Sequence, residues 1–404
     1  MHKFLFYLII LFPPLFSTAQ DDTDTSINTG VKQVDLVDIG TRIFDKKAVR
    51  REEDITKEKG PVHYSVLPVV GYTLQTGFAG VISGNAAYFT STHNHVTENI
   101  STVISSIAFT SKSQIIFPVA SSIWTKGNKY NILTDWRYLK YPSQTFGLGG
   151  HTNQDSSYNV NYLYIKFHQA VLRKISNDLY AGIGYDFDYF WNIQELNPPT
   201  EQPTDFEKYG LNKTEKASGL SFNIKYDSRK NPINPQKGIF ANVIYQPKFT
   251  FMGSDANWQS LLIEFRTYVK FPASSANVLA FWSYNWFTLG GAPSYLLLPS
   301  TGWDEFSNTG RGYIQGRFRS LNMLDQEVEY RFDITRNGFF GGVVFANAQS
   351  FSDLNTERYE VISPGAGLGI RMKLNKFSRT NIALDYAWGT QGSRGFFVNL
   401  GEVF

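Results

Sequence analysis

A strict alternation of apolar and polar residues, with a period of two, recurs along most of this 404-residue chain. In the stretch GLSFNIKYD, residues 219–227, Leu, Phe, Ile and Tyr stand at every second position, with Gly, Ser, Asn, Lys and Asp between them. Residues 180–191 and 325–334 follow the same pattern. Since successive side chains of a β-strand point to opposite faces, each stretch predicts a strand with one apolar and one polar face. No long stretch has the spacing of an amphipathic helix, so the sequence predicts an all-β protein.

Two all-β architectures produce this alternation. A soluble β-sandwich buries the apolar faces between two sheets, whereas a transmembrane barrel turns them to lipid and its polar faces to a lumen. The chain has 33 Phe, 23 Tyr and 8 Trp, which gather near predicted strand ends as in the interfacial girdles of barrels. It also ends in a predicted strand, GFFVNLGEVF, and a barrel needs such strands because lipid does not tolerate an open edge. We therefore predict a transmembrane antiparallel β-barrel.

The alternating segments predict sixteen strands, an even number as in bacterial single-chain barrels. They fall at residues 63–73, 77–90, 97–110, 114–124, 129–140, 159–172, 179–192, 218–228, 238–250, 257–270, 277–288, 322–334, 338–349, 362–374, 380–388 and 394–404. Short connections alternate with long ones at residues 142–158, 193–217, 289–321 and 350–361. This predicts periplasmic turns at one end of the barrel and extracellular loops at the other.

The first 60 residues differ from the rest of the chain. Residues 1–19 have a basic start and an apolar run that prolines interrupt, and they end in small residues. They predict a secretory signal peptide rather than a membrane anchor, for which the run is short. Residues 20–60 are polar and poor in aromatics, which predicts a periplasmic tether, with a charged stretch at 45–59 that can form a short helix. Residues 61–404 are predicted to form the barrel.

The composition argues against several functions. A net charge of +3 gives no reason to expect a nucleic-acid partner, and the absence of Cys excludes disulfides and thiolate metal sites. His93 and His95 share a strand face, but no cluster of carboxylates or Cys accompanies them, so a solvated turn is the preferred interpretation. His168 is predicted to face the lumen without a nucleophile at a suitable spacing. The glycines of residues 145–151 lack the strand–helix context of a phosphate cradle. We predict no enzymatic activity, no cofactor and no metal.

Residues 226–238, YDSRKNPINPQKG, interrupt the alternation with two prolines. A central strand does not hold proline, because proline cannot donate to the ladder. Strand patterns run into this segment and out of it, and its Asn-Pro pair, second proline and closing glycine are typical of a stiff turn. We predict a periplasmic connection between two strands.

Three motifs in residues 61–404 resemble those of the Omp85 superfamily, the bacterial surface antigen family of outer-membrane barrels. The first is D-x-R-x-N-P-x-x-P-x-x-G in the turn, carried by Asp227, Arg229, Asn231, Pro232, Pro235 and Gly238. The second is the R-G-Y of a long sixth extracellular loop with an E-x-R segment after it, carried by Arg311, Gly312, Tyr313, Glu329 and Arg331. The third is an aromatic last strand with Gly395, Phe396, Gly401 and Phe404, similar to the signal by which such barrels are recognised for assembly.

The resemblance implies that the sixth loop folds back into the lumen around Arg311. A buried guanidinium needs acceptors, and Glu327 and Glu329 share the predicted lumenal face with Arg331. Gly312 permits the tight backbone that turns the loop inward. Without the resemblance, an exposed loop tip with no role is the simpler interpretation of this tripeptide.

Residues 345–349, FANAQ, depart from the family pattern F-x-D-x-G. Phe345 is in place, but Asn347 stands where the family has Asp, and Gln349 stands where it has Gly. We therefore expect the loop anchor to rest on Glu327 or Glu329 alone and to be weaker, with Asn347 as a further candidate partner.

The resemblance also implies a function in the bacterial outer membrane, where such a barrel assists protein insertion or translocation. Family members use POTRA domains that are far longer than residues 20–60, so we expect partner proteins from the outer membrane or periplasm to replace them. The junction of the first and last strands is a candidate lateral gate, here residues 64–72 against the last strand. Two alternatives are a passive pore or transporter, which an inward-folded loop disfavours, and a structural subunit that docks through residues 20–60.

Overall fold

The computed structural model describes residues 33–36, 38–40, 62–73, 75–90, 98–197, 203–210, 212–229, 231–376 and 378–404. The predicted signal peptide (residues 1–19), the charged stretch 45–59, His93 and His95 lie outside these ranges. The predictions about them stay predictions.

Seventeen strands account for most of the described chain. They are β1 Val62–Thr73, β2 Gly77–Tyr88, β3 Ser101–Thr110, β4 Ile115–Trp124, β5 Tyr130–Lys140, β6 Ser143–Thr145, β7 Tyr158–Ser176, β8 Leu179–Leu196, β9 Thr214–Asp227, β10 Gly238–Lys248, β11 Trp258–Lys270, β12 Val278–Gly291, β13 Asn322–Asp333, β14 Phe340–Ser352, β15 Tyr359–Asn375, β16 Thr380–Trp388 and β17 Arg394–Leu400. One short α-helix, α1 (Asp205–Tyr209), and four 3-10 turns lie in the connections. Within the described ranges, no helix is both long and apolar enough to cross a membrane.

Apart from β5 and β6, each strand pairs antiparallel with the next along the chain. The short β6 and the longer β5 pair with successive parts of β7, so the two together occupy one position in the wall. The result is a nearly closed barrel of sixteen antiparallel strands, as predicted. β7 and β8 are longer than predicted, because β7 continues past residue 172 to Ser176, opposite Leu179, and β8 continues past residue 192 to Leu196, opposite Asn159.

The alternation places polar residues inside the barrel and apolar residues outside. On β13, Glu327, Glu329 and Arg331 are buried, whereas Val328 and Tyr330 between them are partly exposed. A soluble sandwich has the opposite arrangement, with apolar faces buried. This inversion decides between the two architectures that the sequence leaves open, in favour of the barrel.

The last strand is shorter than predicted. We expected strand through Phe404, but the ladder between β16 and β17 ends at Leu400. The physical reason is Gly401, whose φ of 102° lies in the left-handed region that glycine adopts readily. The chain turns there, and residues Gly401–Phe404, called the tail below, enter the lumen.

The packed interior of the barrel is built from loop 6, defined as residues 292–321 between β12 and β13, together with the tail. Tyr313 and Phe318 of loop 6 form one apolar cluster with Val403 and Phe404 of the tail and with Trp282 of the wall. A second cluster packs under the connections of the long-loop rim, the end of the barrel that carries loop 6. Both clusters lie on the inner side of the wall, where they position the polar groups described next.

Candidate functional site

Arg311 is the centre of a buried ionic cluster. Its side chain is 1% exposed and lies 2.7 Å from Glu329, 3.2 Å from Glu327 and 2.7 Å from Asp385. Burial alone would lower the pKa of Arg311, but these three carboxylates together raise it above its ordinary value. The guanidinium is therefore charged, and loop 6 is attached to the barrel wall through it.

The wall strands place these carboxylates by their alternation. Glu327 and Glu329 stand two residues apart on the inner face of β13, and Glu327 also accepts a hydrogen bond from the backbone N–H of Gly310 at 3.0 Å. Asp385, which belongs to none of the three motifs, lies on the inner face of β16. The signal was present, because residues 380–388 alternate and Asp385 falls on their polar face.

The expectation of a weaker anchor on Glu327 or Glu329 alone is wrong, since Asp385 supplies a third carboxylate. Asn347, which replaces the family's Asp, contacts the loop in another way: its side-chain N–H donates to the backbone carbonyl of Arg311 at 2.7 Å. Phe345 lies under the guanidinium, with its ring centre 3.6 Å from the Arg311 Cζ. The loop is thus held by its backbone as well as by its charge.

Two further arginines extend the cluster. Arg331 donates to Glu329 at 2.6 Å, so this carboxylate lies between two guanidinium groups. Arg371 on β15 forms ion pairs with Asp385 and Glu402. The E-x-R segment that the sequence singled out therefore belongs to the same ionic network as the loop arginine.

Gly312 and Tyr313 attach loop 6 to the last hairpin of the barrel. Gly312 has a φ of 110°, and its carbonyl accepts from the Ser393 hydroxyl at 2.7 Å. The Tyr313 hydroxyl donates to the carbonyl of Pro364 at 2.6 Å and accepts from the backbone N–H of Thr390 at 3.0 Å. Since residues 389–393 connect β16 to β17, the tripeptide fixes the start of β17, at Arg394.

Arg137 on β5 holds the other side of loop 6. Its Nη2 donates to the backbone carbonyls of Asp304 and Glu305, at 3.2 and 2.8 Å. The Asp304 carboxylate accepts from the backbone N–H groups of Asn308 and Thr309, which closes a compact turn within the loop. Neither Arg137 nor Asp304 belongs to a sequence motif, so no local signal marks them as functional residues.

The long-loop rim is closed over loop 6 by neighbouring connections. Arg317 donates to the hydroxyl and carbonyl of Thr152 and to Gln391, each within 2.8 Å. Gly149, in the glycine-rich stretch 145–151, forms a backbone bridge with Arg319. These contacts join three connections above the lumen, so the glycines serve packing between loops.

The proline-containing segment connects β9 to β10, as predicted, and it reaches across the short-turn rim, the end of the barrel opposite loop 6. Arg229 donates to both carboxylate oxygens of Asp227, at 2.8 and 3.0 Å. The Asn231 side chain accepts from Ile233 N–H and donates to the carbonyl of Ser378 on the β15–β16 connection. Gly238 begins β10 with a φ of 113°, and the nearest atom to a Cβ there would be a backbone oxygen at 3.0 Å.

β1 and β17 are neighbours in the wall, and the line where they meet is called the seam below. Among the described residues, they are the one pair of neighbouring strands without a hydrogen-bonded ladder. The strands lie side by side, since a Cβ on Gly71 would lie 3.9 Å from Val398 Cγ2. Outward side chains of β1 are highly exposed, with Tyr64 at 79% and Val70 at 82%. The wall is therefore least tightly joined at the predicted junction.

The residues predicted as a last-strand signal separate into two environments. Phe396 faces outward and is 43% exposed, whereas Phe404 is 3% exposed inside the lumen. Gly395 pairs opposite Ala387 in the ladder, and Gly401 makes the inward turn. The assembly role of Gly395, Phe396, Gly401 and Phe404 stays a prediction.

His168 faces the lumen, as predicted. Its ring lies 2.9 Å from Asp188, which also accepts from the Tyr164 hydroxyl at 2.7 Å, and 3.6 Å from Asp186. Each carboxylate has a basic or hydroxyl partner, which fits a structural network of the wall. Among the described residues, no three His, Cys, Asp or Glu side chains are placed to hold a metal ion.

The described part of residues 20–60 lies against the short-turn rim. Val34 N–H donates to the carbonyl of Asn337 at 3.2 Å, and the Asp35 carboxylate accepts from the backbone N–H of Lys376 at 2.9 Å. Asp38 forms an ion pair with the Lys376 ammonium at 2.9 Å. This short stretch therefore contacts the connections of β13–β14 and β15–β16.

Solved structures with this architecture include one BamA chain and two CdiB chains. BamA from Haemophilus ducreyi, in a structure lacking POTRA domains 1–3, is 13% identical and superposes with a TM-score of 0.53, covering 84% of this chain and 70% of that one. CdiB from Acinetobacter baumannii is 11% identical with a TM-score of 0.52, covering 85% of this chain and 60% of that one. CdiB from Escherichia coli is 11% identical with a TM-score of 0.50, covering 84% and 62%. At these identities the likeness concerns the fold, and this chain spans less than two thirds of either CdiB chain.

A comparison of the sequence with curated proteins finds no match. The family model of the Omp85 superfamily domain matches residues 121–404, well over half of the chain. That range contains the turn motif, loop 6, the ionic cluster and the last strand. The chain therefore belongs to the Omp85 superfamily.

Proposed function

We propose that this barrel lies in the bacterial outer membrane and assists the insertion or translocation of proteins, with the seam between β1 and β17 as the place where a client chain meets the wall. The observation that carries the proposal is that the described residues of β1 and β17 form no hydrogen-bonded ladder with each other. Unpaired N–H and C=O groups on β1 and β17 offer hydrogen bonds to an added strand, and burying them unpaired in lipid is costly. A weakly joined edge is therefore suited to receive a strand.

The packed lumen supports this proposal over a passive pore. Arg311 and Arg137 hold loop 6 from two sides of the wall, and connections at the long-loop rim close over it. In this proposal, Arg311, Gly312 and Tyr313 keep the resting loop seated and attached to the hairpin that carries β17. The turn from Asp227 to Gly238 supports the periplasmic end.

We propose that partner proteins from the periplasm or outer membrane act with the barrel. Asp35 is buried against the Lys376 backbone and Asp38 pairs with the Lys376 ammonium, so this stretch is attached to the barrel at the short-turn rim. A partner can use the connections that adjoin it as a docking surface.

A reversible cross-link across the seam tests the proposal. Gly71 and Val398 are replaced by Cys in this Cys-free chain and joined by a short thiol-cleavable reagent. We expect closure of the seam to lower the amounts of other outer-membrane proteins in cells that depend on the variant, and cleavage of the link to restore them. The matched control joins Ala387→Cys to Gly395→Cys, which already face each other in the β16–β17 ladder.

The proposal is wrong if cells with a fully cross-linked seam keep normal outer-membrane protein levels. An equal loss with the β16–β17 control would instead assign the effect to general rigidity of the wall. Co-purification from native membranes in mild detergent then identifies partners, and variants Asp35→Asn and Asp38→Asn test whether attachment of this stretch to the rim is needed to retain them.

A further inference from the structure

The tail enters a pocket whose walls come from several distant parts of the chain. Gly401 N–H donates to the carbonyl of Asn381 at 2.8 Å, and Glu402 N–H donates to the carbonyl of Ile233 at 3.1 Å. β16 and the β9–β10 turn thus hold the backbone where it leaves β17. Loop 6 contributes as well, because the Asn308 side chain donates to the carbonyl of Val403 at 2.7 Å. Successive backbone groups of the tail are therefore bound, as in a recognised peptide.

Glu402 is bound as a charged group. Its carboxylate lies 2.8 Å from Arg371 Nε and 3.7 Å from Arg331 Nε, and it accepts from the Asn381 side chain at 2.6 Å. Burial alone would raise the pKa of Glu402, but Arg371 and Arg331 hold it below the ordinary value. The pocket therefore selects an ionised acidic side chain at this position.

Phe404 fills the apolar end of the pocket. Its ring centre lies 5.2 Å from that of Trp282, and the Arg331 guanidinium carbon lies 5.5 Å from the ring centre. Arg331 also donates to the Phe404 carbonyl at 2.8 Å. One arginine thus contacts both the acidic and the aromatic residue of the tail, so the two are recognised together.

The seated tail fixes one end of the strand that forms the seam. β17 has a ladder with β16 and, among the described residues, no register with β1. The start of β17 is held by the hydrogen bond between Ser393 and Gly312, and its last residue, Leu400, is followed directly by the tail. The position of β17 at the seam therefore depends on contacts inside the lumen as well as on β16.

We propose that the tail is an internal ligand of a lumenal peptide-binding pocket, and that its seating holds β17 at the seam. The ligand class is a short peptide with an acidic residue two positions before an aromatic one. Any consequence for protein insertion rests on the proposed function above. The binding and the restraint of β17 do not, and both are measured on purified protein without a client.

A peptide added in trans tests the pocket. The chain is shortened to end at Leu400, and the labelled peptide Gly-Glu-Val-Phe is titrated against it in detergent with fluorescence anisotropy. We expect saturable binding, about tenfold weaker binding of Gly-Gln-Val-Phe and of Gly-Glu-Val-Ala, and no binding to the full-length chain, whose own tail occupies the site. A folded shortened chain that binds none of the peptides overturns the proposal, as does equal binding to the full-length chain.

Hydrogen–deuterium exchange tests the restraint of β17 and keeps the proposal falsifiable if the shortened chain does not fold. In the full-length variants Phe404→Ala and Glu402→Gln, we expect the amides of residues 394–400 to exchange about tenfold faster than in the wild type. The matched control is Phe396→Ala, which removes an outward-facing ring from the same strand. Unchanged exchange in both tail variants, or an equal increase in the control, contradicts the restraint.

Discussion

The inner face of β13 carries more acidic groups than the cluster neutralises. Glu327 and Glu329 each lie near a guanidinium, but Asp325 on the same face has no hydrogen-bond partner for either carboxylate oxygen within the described structure. It is fully buried, and the negative charges of Glu327 and Asp304 act on it unfavourably. A buried polar group without a partner costs free energy whether it is charged or neutral, and its charged form costs most.

We therefore expect Asp325→Asn to stabilise the barrel. The substitution keeps the shape of the side chain and replaces a carboxyl that its surroundings disfavour by a neutral amide, and the expected gain in the free energy of unfolding is about 1 kcal/mol. The measurement is the urea concentration at which purified protein loses its folded, fast-migrating band in unheated gels. Asp333→Asn, on the exposed end of the same strand, is the control and stays within about 0.5 kcal/mol of the wild type. A destabilised Asp325→Asn would show that this carboxylate has a stabilising partner.

At the scale of the element, loop 6 depends on close backbone approach at Gly312. A Cβ there would lie 2.8 Å from the carbonyl oxygen of Trp388, and the φ of 110° already disfavours other residues. Gly253 has a similar φ of 98°, but a Cβ there would meet nothing within 4 Å. The two positions thus separate backbone strain from steric conflict.

We expect Gly312→Ala to unseat the middle of loop 6. The loss in stability exceeds the ~1 kcal/mol of conformational strain that Gly253→Ala also carries, because the new methyl group pushes the tripeptide from residues 388–389. Limited proteolysis reports the change: cleavage within residues 292–321 accelerates in Gly312→Ala and stays at the wild-type rate in Gly253→Ala. Equal rates in both variants would show that the close approach does not hold the loop.

The elements that sequence predicts well are those with a local signal. The period of two locates the strands, and the proline turn is read from residue chemistry alone, because both depend on neighbours in sequence. The partners of Arg311 are harder: Glu327 and Glu329 follow the loop closely, whereas Asp385 comes from a strand 74 residues away. The inward turn of the tail was missed, since Phe404 continues an aromatic strand pattern and its lumenal pocket is assembled from remote segments.

At the scale of the whole molecule, the inner wall has two different halves. The inward residues of β2 and β3 are small or uncharged, comprising Ala79, Val81, Ser83, Asn85, Ala87, Thr102, Ile104, Ser106, Ala108 and Thr110. The charged groups that hold loop 6 come from β5, β13 and β16. Loop 6 is thus fastened to β5, β13 and β16, whereas β2 and β3, on the β1 side of the seam, present no charged residue to it. This division lets the β1 side of the seam move while loop 6 and β17 stay seated.

We expect loop 6 to decide whether the lumen conducts. With Arg311 in place, we expect the wild type in planar bilayers to show little steady conductance. Arg311→Gln leaves Glu327, Glu329 and Asp385 without their common cation, which costs on the order of 3–5 kcal/mol and favours release of the loop. We expect single-channel conductance to rise severalfold in Arg311→Gln and to be unchanged in Arg358→Gln, whose side chain is exposed in the β14–β15 connection. A wild type that conducts as well as Arg311→Gln would favour the passive pore, because loop 6 would then obstruct nothing.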